Sequence, residues 1–169
     1  MDLLIKIIKS AGAAYKEFTK DENYTKGVDF EKYVVSLFSK EHFKINDWTR
    51  DNSKNLDQRV ESDSNPDLTI RYLNTNELFS IECKFRSYAL NNNITWARPD
   101  QIMNYQRYEH ENKIPTFLVI GLGGIPDDPK RMFCLPISKA RYTNLFMSYL
   151  ENYERPPYRM FFWKNRTLI

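Results

Sequence analysis

The chain has 169 residues, a length that predicts one domain rather than two. Hydrophobic residues make up 41% and aromatic residues 15%, which excludes a disordered chain and predicts a globular core. A core of this size needs no disulfide or structural metal. The net charge of +3 indicates no class of partner by itself, although a local basic patch is compatible with it.

The cysteines and the apolar segments of the chain indicate the cellular compartment in which the protein is expected. Cys83 and Cys134 each lie among apolar residues, so we interpret both as buried thiols rather than as a disulfide, a metal pair or a nucleophile. No apolar run approaches the roughly 18 residues of a membrane span. Charged residues interrupt the N-terminal apolar segment too early for a signal peptide. We therefore expect a cytoplasmic protein with no membrane partner.

The first half of the chain predicts two helices followed by three strands. Apolar residues at helical spacing predict helices over residues 2–20 and 28–41. Alternating patterns predict strands over residues 43–50, 67–73 and 78–86. The first strand is followed by a polar segment, 51–66, which we expect to be a long loop. The other two strands are joined by a short polar link, which predicts an antiparallel hairpin.

The second half predicts an alternation of helix and strand. Pro99 is well placed to open a helix over residues 99–111. The apolar run 116–120, which ends at Gly121, predicts a central strand buried on both faces. The remaining predicted elements are a loop over 123–129, a strand over 131–136, a helix over 138–150 and a strand over 158–163. The order predicts an α/β fold with a mixed sheet.

Three charged residues stand at one end of the predicted hairpin. Asp67 opens one strand, and Glu82 and Lys84 stand two residues apart on the other. Side chains alternate across a strand, so Glu82 and Lys84 share one face. Asp67 and Glu82 fall at mirrored positions about the turn, which predicts that two carboxylates and an ammonium converge there. Two carboxylates with open positions suit Mg²⁺ or Mn²⁺, and a metal beside a lysine suits phosphodiester hydrolysis.

This pattern resembles a known signature. Pro66-Asp67 followed by Glu82-Cys83-Lys84 is similar to the motif of the PD-(D/E)XK nuclease superfamily, which has the restriction-endonuclease-like fold. The resemblance implies an αβββαβ core over residues 27–121 with a mixed central sheet flanked by helices. Residues 1–26 would be an N-terminal helical extension, and residues 122–169 a C-terminal addition of strand, helix and strand.

The resemblance also implies a role for each site residue. Asp67, Glu82 and the backbone carbonyl of Cys83 would bind the metal, and Lys84 would act on the attacking water or the transition state. Glu31 resembles the acidic residue of the family's first helix, which holds metal-bound water or a second ion. The remaining candidate is Gln101, which resembles a helix residue found near the active site of several branches, and Tyr105 follows it at a spacing typical of exonuclease-type members. Tyrosines at that spacing are more often core residues than site residues.

Cations and aromatic residues of two loops are candidates for contacts with nucleic acid, because such contacts need charge for phosphates and rings for bases. With Tyr105, the candidates are Arg50, Lys54, Arg59, Arg86, Trp96 and Arg98. Acidic residues in the first loop dilute this signal, and plain solvation of both loops is an equal alternative.

Each assignment has a structural alternative. Glu82 and Lys84 could form an ordinary solvent-facing ion pair, Asp67 could cap a turn, and Glu31 could interact with a helix dipole. His42 and His110 lie at ends of predicted helices, where surface or capping roles are favoured.

The first functional hypothesis is a Mg²⁺-dependent or Mn²⁺-dependent nuclease, a DNA endonuclease in particular, which hydrolyses phosphodiester bonds with an activated water. The alternative is a module of the same fold that binds nucleic acid or protein without turnover. Whether the N-terminal helix joins two copies in a homodimer stays open.

Overall fold

The computed structural model describes Thr19, residues 22–49 and residues 65–169. Most of the expected N-terminal helix over 2–20 and most of the expected loop over 51–66 therefore lie outside the described residues. In the part of the chain that is described, no helix is both long enough and apolar enough to cross a membrane.

A mixed six-stranded sheet forms the centre of the fold. In spatial order its strands are β1 (Phe43–Trp48), β2 (Leu68–Tyr72), β3 (Glu77–Arg86), β5 (Thr116–Ile125), β6 (Asp128–Pro136) and β8 (Glu154–Arg155). The neighbours β3 and β5 are parallel, and the other pairs are antiparallel. Two short pairs complete the strands: β4 (Asn93–Thr95) with β7 (Asn144–Phe146), and β9 (Trp163–Lys164) with β10 (Thr167–Leu168).

Helices cover both faces of the sheet. Helix α1 contains residues 22–36, and its buried Phe30 packs in one core with Ile81 and Phe85 of β3. Helix α2 (Pro99–Asn112) packs through Ile102 and Tyr105 in the core on the opposite face. Helix α3 (Met147–Leu150) is a single short turn. The β3 strand therefore lies between two apolar layers.

Gly121 of β5 sets how closely α1 approaches the sheet. A Cβ atom at this position would come within 2.4 Å of the Phe30 ring, a distance that no side chain tolerates without movement. The ring of Phe30 thus rests directly on backbone. This contact fixes the position of Glu31, the next residue of α1.

The predicted α/β class and the αβββαβ order are confirmed by α1, β1, β2, β3, α2 and β5. Two boundaries differ. The helix predicted over 28–41 ends at residue 36, where bonds from Leu37 and Phe38 back to residues three positions earlier tighten the last turn. The loop predicted over 123–129 is mostly strand, because Gly123 and Gly124 both adopt φ of +69° and carry β5 into a tight hairpin.

Two predictions for the C-terminal third were wrong. The helix predicted over 138–150 is replaced by a 3₁₀ turn (Ile137–Lys139), β7 and α3, since pairing with β4 satisfies the backbone of residues 144–146. The strand predicted over 158–163 is irregular as far as residue 162. There the guanidinium of Arg155 lies 3.5 Å from the centre of the Phe161 ring and donates to the carbonyls of Arg159 and Met160.

Candidate active site

The pairing register places Asp67 and Glu82 on the same face of the sheet. The last pair between β2 and β3 is Leu68 with Ile81, both in the core beneath α1. The next position outward therefore sets Asp67 opposite Glu82, and both side chains lie on the face of α2, because side chains alternate along each strand.

Backbone contacts hold Asp67 at the end of β2. Its Oδ2 accepts a hydrogen bond of 2.8 Å from the backbone N–H of Cys83. Behind it, the backbone N–H of Thr49 donates to the Asp67 carbonyl at 3.0 Å, and the Thr49 hydroxyl donates to the Pro66 carbonyl at 2.7 Å. The carboxylate thus spans the point where β2 and β3 separate.

Glu82 is almost fully buried, with 1% of its surface exposed. Its Oε1 accepts a hydrogen bond of 2.7 Å from the Tyr105 hydroxyl and forms an ion pair with Lys84. Its Oε2 is buried and has no hydrogen-bond partner among the described residues. Burial and the nearby charge of Asp67 raise the pKa of Glu82 from its usual value of 4.5 to about 7, although Lys84 and Tyr105 oppose the shift.

Lys84 is held in its charged form. Burial alone would lower its pKa, but attraction to Glu82 and Asp67 outweighs burial, and the pKa of Lys84 is raised. Its side chain is 18% exposed, so Lys84 is less enclosed than Glu82. The alternative of a solvent-facing ion pair is therefore excluded, because Glu82 is buried. A lysine with a raised pKa offers a permanent positive charge rather than a base.

The thiol of Cys83 lies on the opposite face from Glu82, in the core beneath α1. Burial raises its pKa well above the usual 9.0, and the charges of Asp67, Glu31 and Glu82 raise it further. Such a thiol is inert at neutral pH. Both cysteines are free, as expected. Cys83 is a buried thiol as predicted, whereas Cys134 is only partly buried.

Glu31 approaches from α1 and is fully buried. The indole N–H of Trp48, the last residue of β1, donates to its Oε2 at 2.9 Å. Glu31 also lies well beyond the first turn of α1, which contains residues 22–36, so the alternative of a charge at the helix N-terminus does not describe it. Glu31 acts on the Cys83 thiol from the α1 side of the sheet, and Asp67 and Glu82 act on the same thiol from the other side.

Gln101 caps the start of α2. Its side-chain oxygen accepts a hydrogen bond of 3.0 Å from the backbone N–H of Arg98, as in a capping box. Tyr105 lies one helical turn further along and carries the contact to Glu82. The helix is thus tied to the site through Tyr105, and the observed bond of Gln101 is a helix cap.

Two of the predicted nucleic-acid contacts are wrong. Trp96 is 1% exposed, its indole N–H donates to the Tyr142 carbonyl at 2.7 Å, and its ring stacks on Tyr105. Tyr105 is 2% exposed and is committed to Glu82. Neither ring can stack on a base, because each is already enclosed by the core around α2.

Of the other predicted contacts, Arg86 and Arg98 lie in the described part of the chain. Arg86 is partly buried and donates to three backbone carbonyls, whereas Arg98 is exposed and pairs with Asp100 at 3.1 Å. The remaining candidates, Arg50, Lys54 and Arg59, lie outside the described residues.

The donor set suits a divalent cation in part. Within residues 22–49 and 65–169, no group of three or more His, Cys, Asp or Glu side chains is placed to share an ion. Asp67 and Glu82 do supply two carboxylates on one face, and Glu82 has a buried oxygen with no donor among those residues. Hard oxygens of this kind fit Mg²⁺ or Mn²⁺, which retain several waters. The backbone of Cys83 lies at the same point, since its N–H donates to Asp67.

Sequence reasoning missed two supports of the site. Thr49 and Trp48 fall at the end of β1, where one holds the Pro66-Asp67 backbone and the other holds Glu31. A tryptophan followed by a threonine at a strand end carries no signal of its own. Only the pairing of β1 with β2 brings these residues to the acids.

No protein-family model and no curated protein matches the sequence. Among solved structures, the fold is similar to that of Hjc, a Holliday junction resolvase from the archaeal hyperthermophile Archaeoglobus fulgidus. The two chains are 13% identical, the match covers 52% of this chain and 67% of the resolvase, and the TM-score is 0.40. We therefore derive a function for this chain from the geometry of its own residues.

Proposed function

We propose that this chain is a metal-dependent nuclease of the PD-(D/E)XK type that hydrolyses phosphodiester bonds, with DNA as its substrate. The observation that carries the proposal is the state of Glu82. It is a buried carboxylate with one oxygen bound to Lys84 and Tyr105 and the other without a donor among the described residues. A fold keeps such a group at considerable cost, and a cation is the ligand that offsets it.

In this proposal Asp67, Glu82 and the Cys83 carbonyl hold Mg²⁺ or Mn²⁺. The ion supplies Lewis-acid chemistry, which makes a water more acidic and neutralises charge on phosphate. Lys84 contributes a fixed positive charge beside the same carboxylate, where it stabilises the negative charge that develops on the phosphate. Tyr105 orients Glu82 through its hydroxyl.

Glu31 and Gln101 have supporting roles in the proposal. Glu31 is the third acid near Cys83 and is suited to hold a water at the edge of the site. Gln101 fixes the start of α2 and so helps to place Tyr105. Both are positioning residues.

The decisive experiment measures cleavage of supercoiled plasmid, single-stranded DNA and branched DNA with Mg²⁺, Mn²⁺ or EDTA. Cleavage that needs a divalent ion, and that falls about 100-fold or more in Asp67→Asn and in Lys84→Met, is the expected result. Lys32→Met is the matched control for loss of a lysine charge, because Lys32 is exposed on α1 and pairs with Asp29. DNA binding without cleavage in any metal would instead identify a module that lacks turnover.

A further inference from the structure

A cleft of about 450 Å³ opens beside the candidate site, where β3 ends. Its lining includes Lys26 of α1, Arg86 at the end of β3, and Tyr88, Leu90 and Asn93 from the segment that follows. Arg86 and Lys84 share a face of β3, because they stand two positions apart in the strand, which corresponds to about 7 Å. The cleft therefore begins at the next side chain beyond Lys84 on the same face of β3, and its volume is that of a small-ligand site.

Arg86 places a positive charge in the cleft. Its guanidinium donates to the carbonyls of Phe85 and Thr95, both at 2.8 Å, and of Trp96 at 3.3 Å. In the described part of the chain no carboxylate pairs with it. Burial lowers the pKa of Arg86, which reflects the cost of a charge with only neutral partners. Since a guanidinium has five donors, Arg86 retains donors for an anion.

Two further polar groups line the same cleft. Lys26 adds a second cation, which pairs with Glu22 at 2.6 Å one turn earlier in α1. Asn93 donates from Nδ2 to the Asn91 carbonyl at 3.0 Å, whereas its Oδ1 is buried and accepts no hydrogen bond from the described residues. A buried acceptor of this kind calls for a donor. The cleft thus offers cations for an anionic group and an acceptor for an N–H or O–H.

The rim of the cleft is apolar and exposed. Tyr88 is 73% exposed and Leu90 is 68% exposed, and both follow Arg86 closely in the chain. An aromatic face beside cations is the combination that binds single-stranded nucleic acid, since bases stack on the ring while the cations follow the backbone. A paired base is already stacked in its duplex and offers no free face.

We propose that this cleft binds one unpaired nucleotide of the substrate strand, with its phosphate near Arg86 and Lys26 and its base on Tyr88. The inference rests on the proposed nuclease function, because it places this nucleotide beside the phosphate that the site would cleave. It predicts a preference for strands that are single or frayed next to the cleavage point.

Binding measured without turnover tests the cleft. Fluorescence anisotropy in EDTA follows a labelled oligothymidylate, a duplex of equal length, and competition by free thymidine monophosphate. Tyr88→Ala and Lys26→Gln should each weaken binding of the single strand about fivefold or more. The controls are Tyr158→Ala, which removes a tyrosine that is 81% exposed and lies outside the cleft, and Lys32→Gln, which removes the α1 lysine that pairs with Asp29. Both controls should bind as the unmodified protein does.

The outcomes separate the cleft from the nuclease. Normal single-strand binding by both Tyr88→Ala and Lys26→Gln overturns the inference, as does an equal loss of duplex binding in Tyr88→Ala. Displacement of the oligonucleotide by equimolar thymidine monophosphate also overturns it, in favour of a free nucleotide. If Tyr88→Ala loses single-strand binding while no metal supports cleavage, the nuclease proposal fails and the nucleotide cleft stands.

Discussion

Asp67 and Cys83 are joined side chain to backbone at the point where two strands part. The Asp67 carboxylate takes the N–H of Cys83 at 2.8 Å, although Cys83 directs its thiol into the opposite core. One oxygen of the acid thus stabilises the fold, and the charge of the same acid raises the pKa of Glu82. Asp67 therefore has a structural contact and a proposed catalytic role, and different substitutions of Asp67 can separate the two.

Two substitutions of Asp67 should differ in stability but agree in activity. Asp67→Asn keeps an acceptor for the Cys83 N–H, so its free energy of unfolding should stay close to that of the unmodified protein. Asp67→Ala leaves that N–H without its partner and should cost about 1–3 kcal/mol. Both remove the charge and should abolish metal-dependent cleavage. Urea unfolding and plasmid nicking measure the two effects, and activity retained by Asp67→Asn would contradict the assignment.

The raised pKa of Glu82 should make stability depend on pH. In the unfolded chain the carboxyl ionises near 4.5, whereas in the folded protein it keeps its proton until a pH of about 7. The folded state therefore binds more protons between these values, so the contribution of Glu82 to the free energy of unfolding is largest below 4.5 and falls as pH rises to about 7.

Glu82→Gln removes this titration, and the variant should gain stability relative to the unmodified protein as pH rises through the same interval. Urea unfolding at several pH values provides the measurement. A constant difference between the two proteins across the interval would show that Glu82 does not titrate there.

The hairpin of the site could be predicted from the sequence because its geometry is local. A short polar link and alternating strands fix the register, and the register alone sets Asp67 opposite Glu82. The burial of Trp96 had no such signal. It stands in a polar segment, and only the packing of α2 and the β4–β7 pair encloses its ring.

Residue type was also a poor guide to the role of Tyr105 and to the secondary structure of residues 138–150. A tyrosine on a helix near cations is compatible with nucleic-acid binding and with a core, and the contacts of Tyr105 with Glu82 and Trp96 decide between them. Residues 138–150 have apolar spacing that suits a helix, but β4 offers a partner strand, so tertiary pairing overrides the local pattern.

Removal of the Tyr105 hydroxyl should shift the pH profile of cleavage. This hydroxyl stabilises the ionised form of Glu82 and opposes the rise in its pKa. In Tyr105→Phe the pKa of Glu82 should rise further, and the acidic limb of the profile should move to higher pH. Tyr108→Phe is the control, because the hydroxyl of Tyr108 contacts Thr69 and Ser80 instead. Equal profiles for both variants would contradict a role for Tyr105 in setting the charge of Glu82.

Glu31→Gln should separate a role in the site from a role in the fold. Glutamine keeps an acceptor for the indole N–H of Trp48, so folding should survive with a change of about 1 kcal/mol or less. If Glu31 holds a water at the metal site, cleavage should fall roughly tenfold or more and more Mg²⁺ should be needed. Glu77→Gln is closely matched, since Glu77 also accepts an indole N–H, from Trp163 at 2.9 Å, at the far end of β3. Cleavage that falls equally in both variants would mean that the loss reflects the fold, and Glu31 would then be a structural carboxylate.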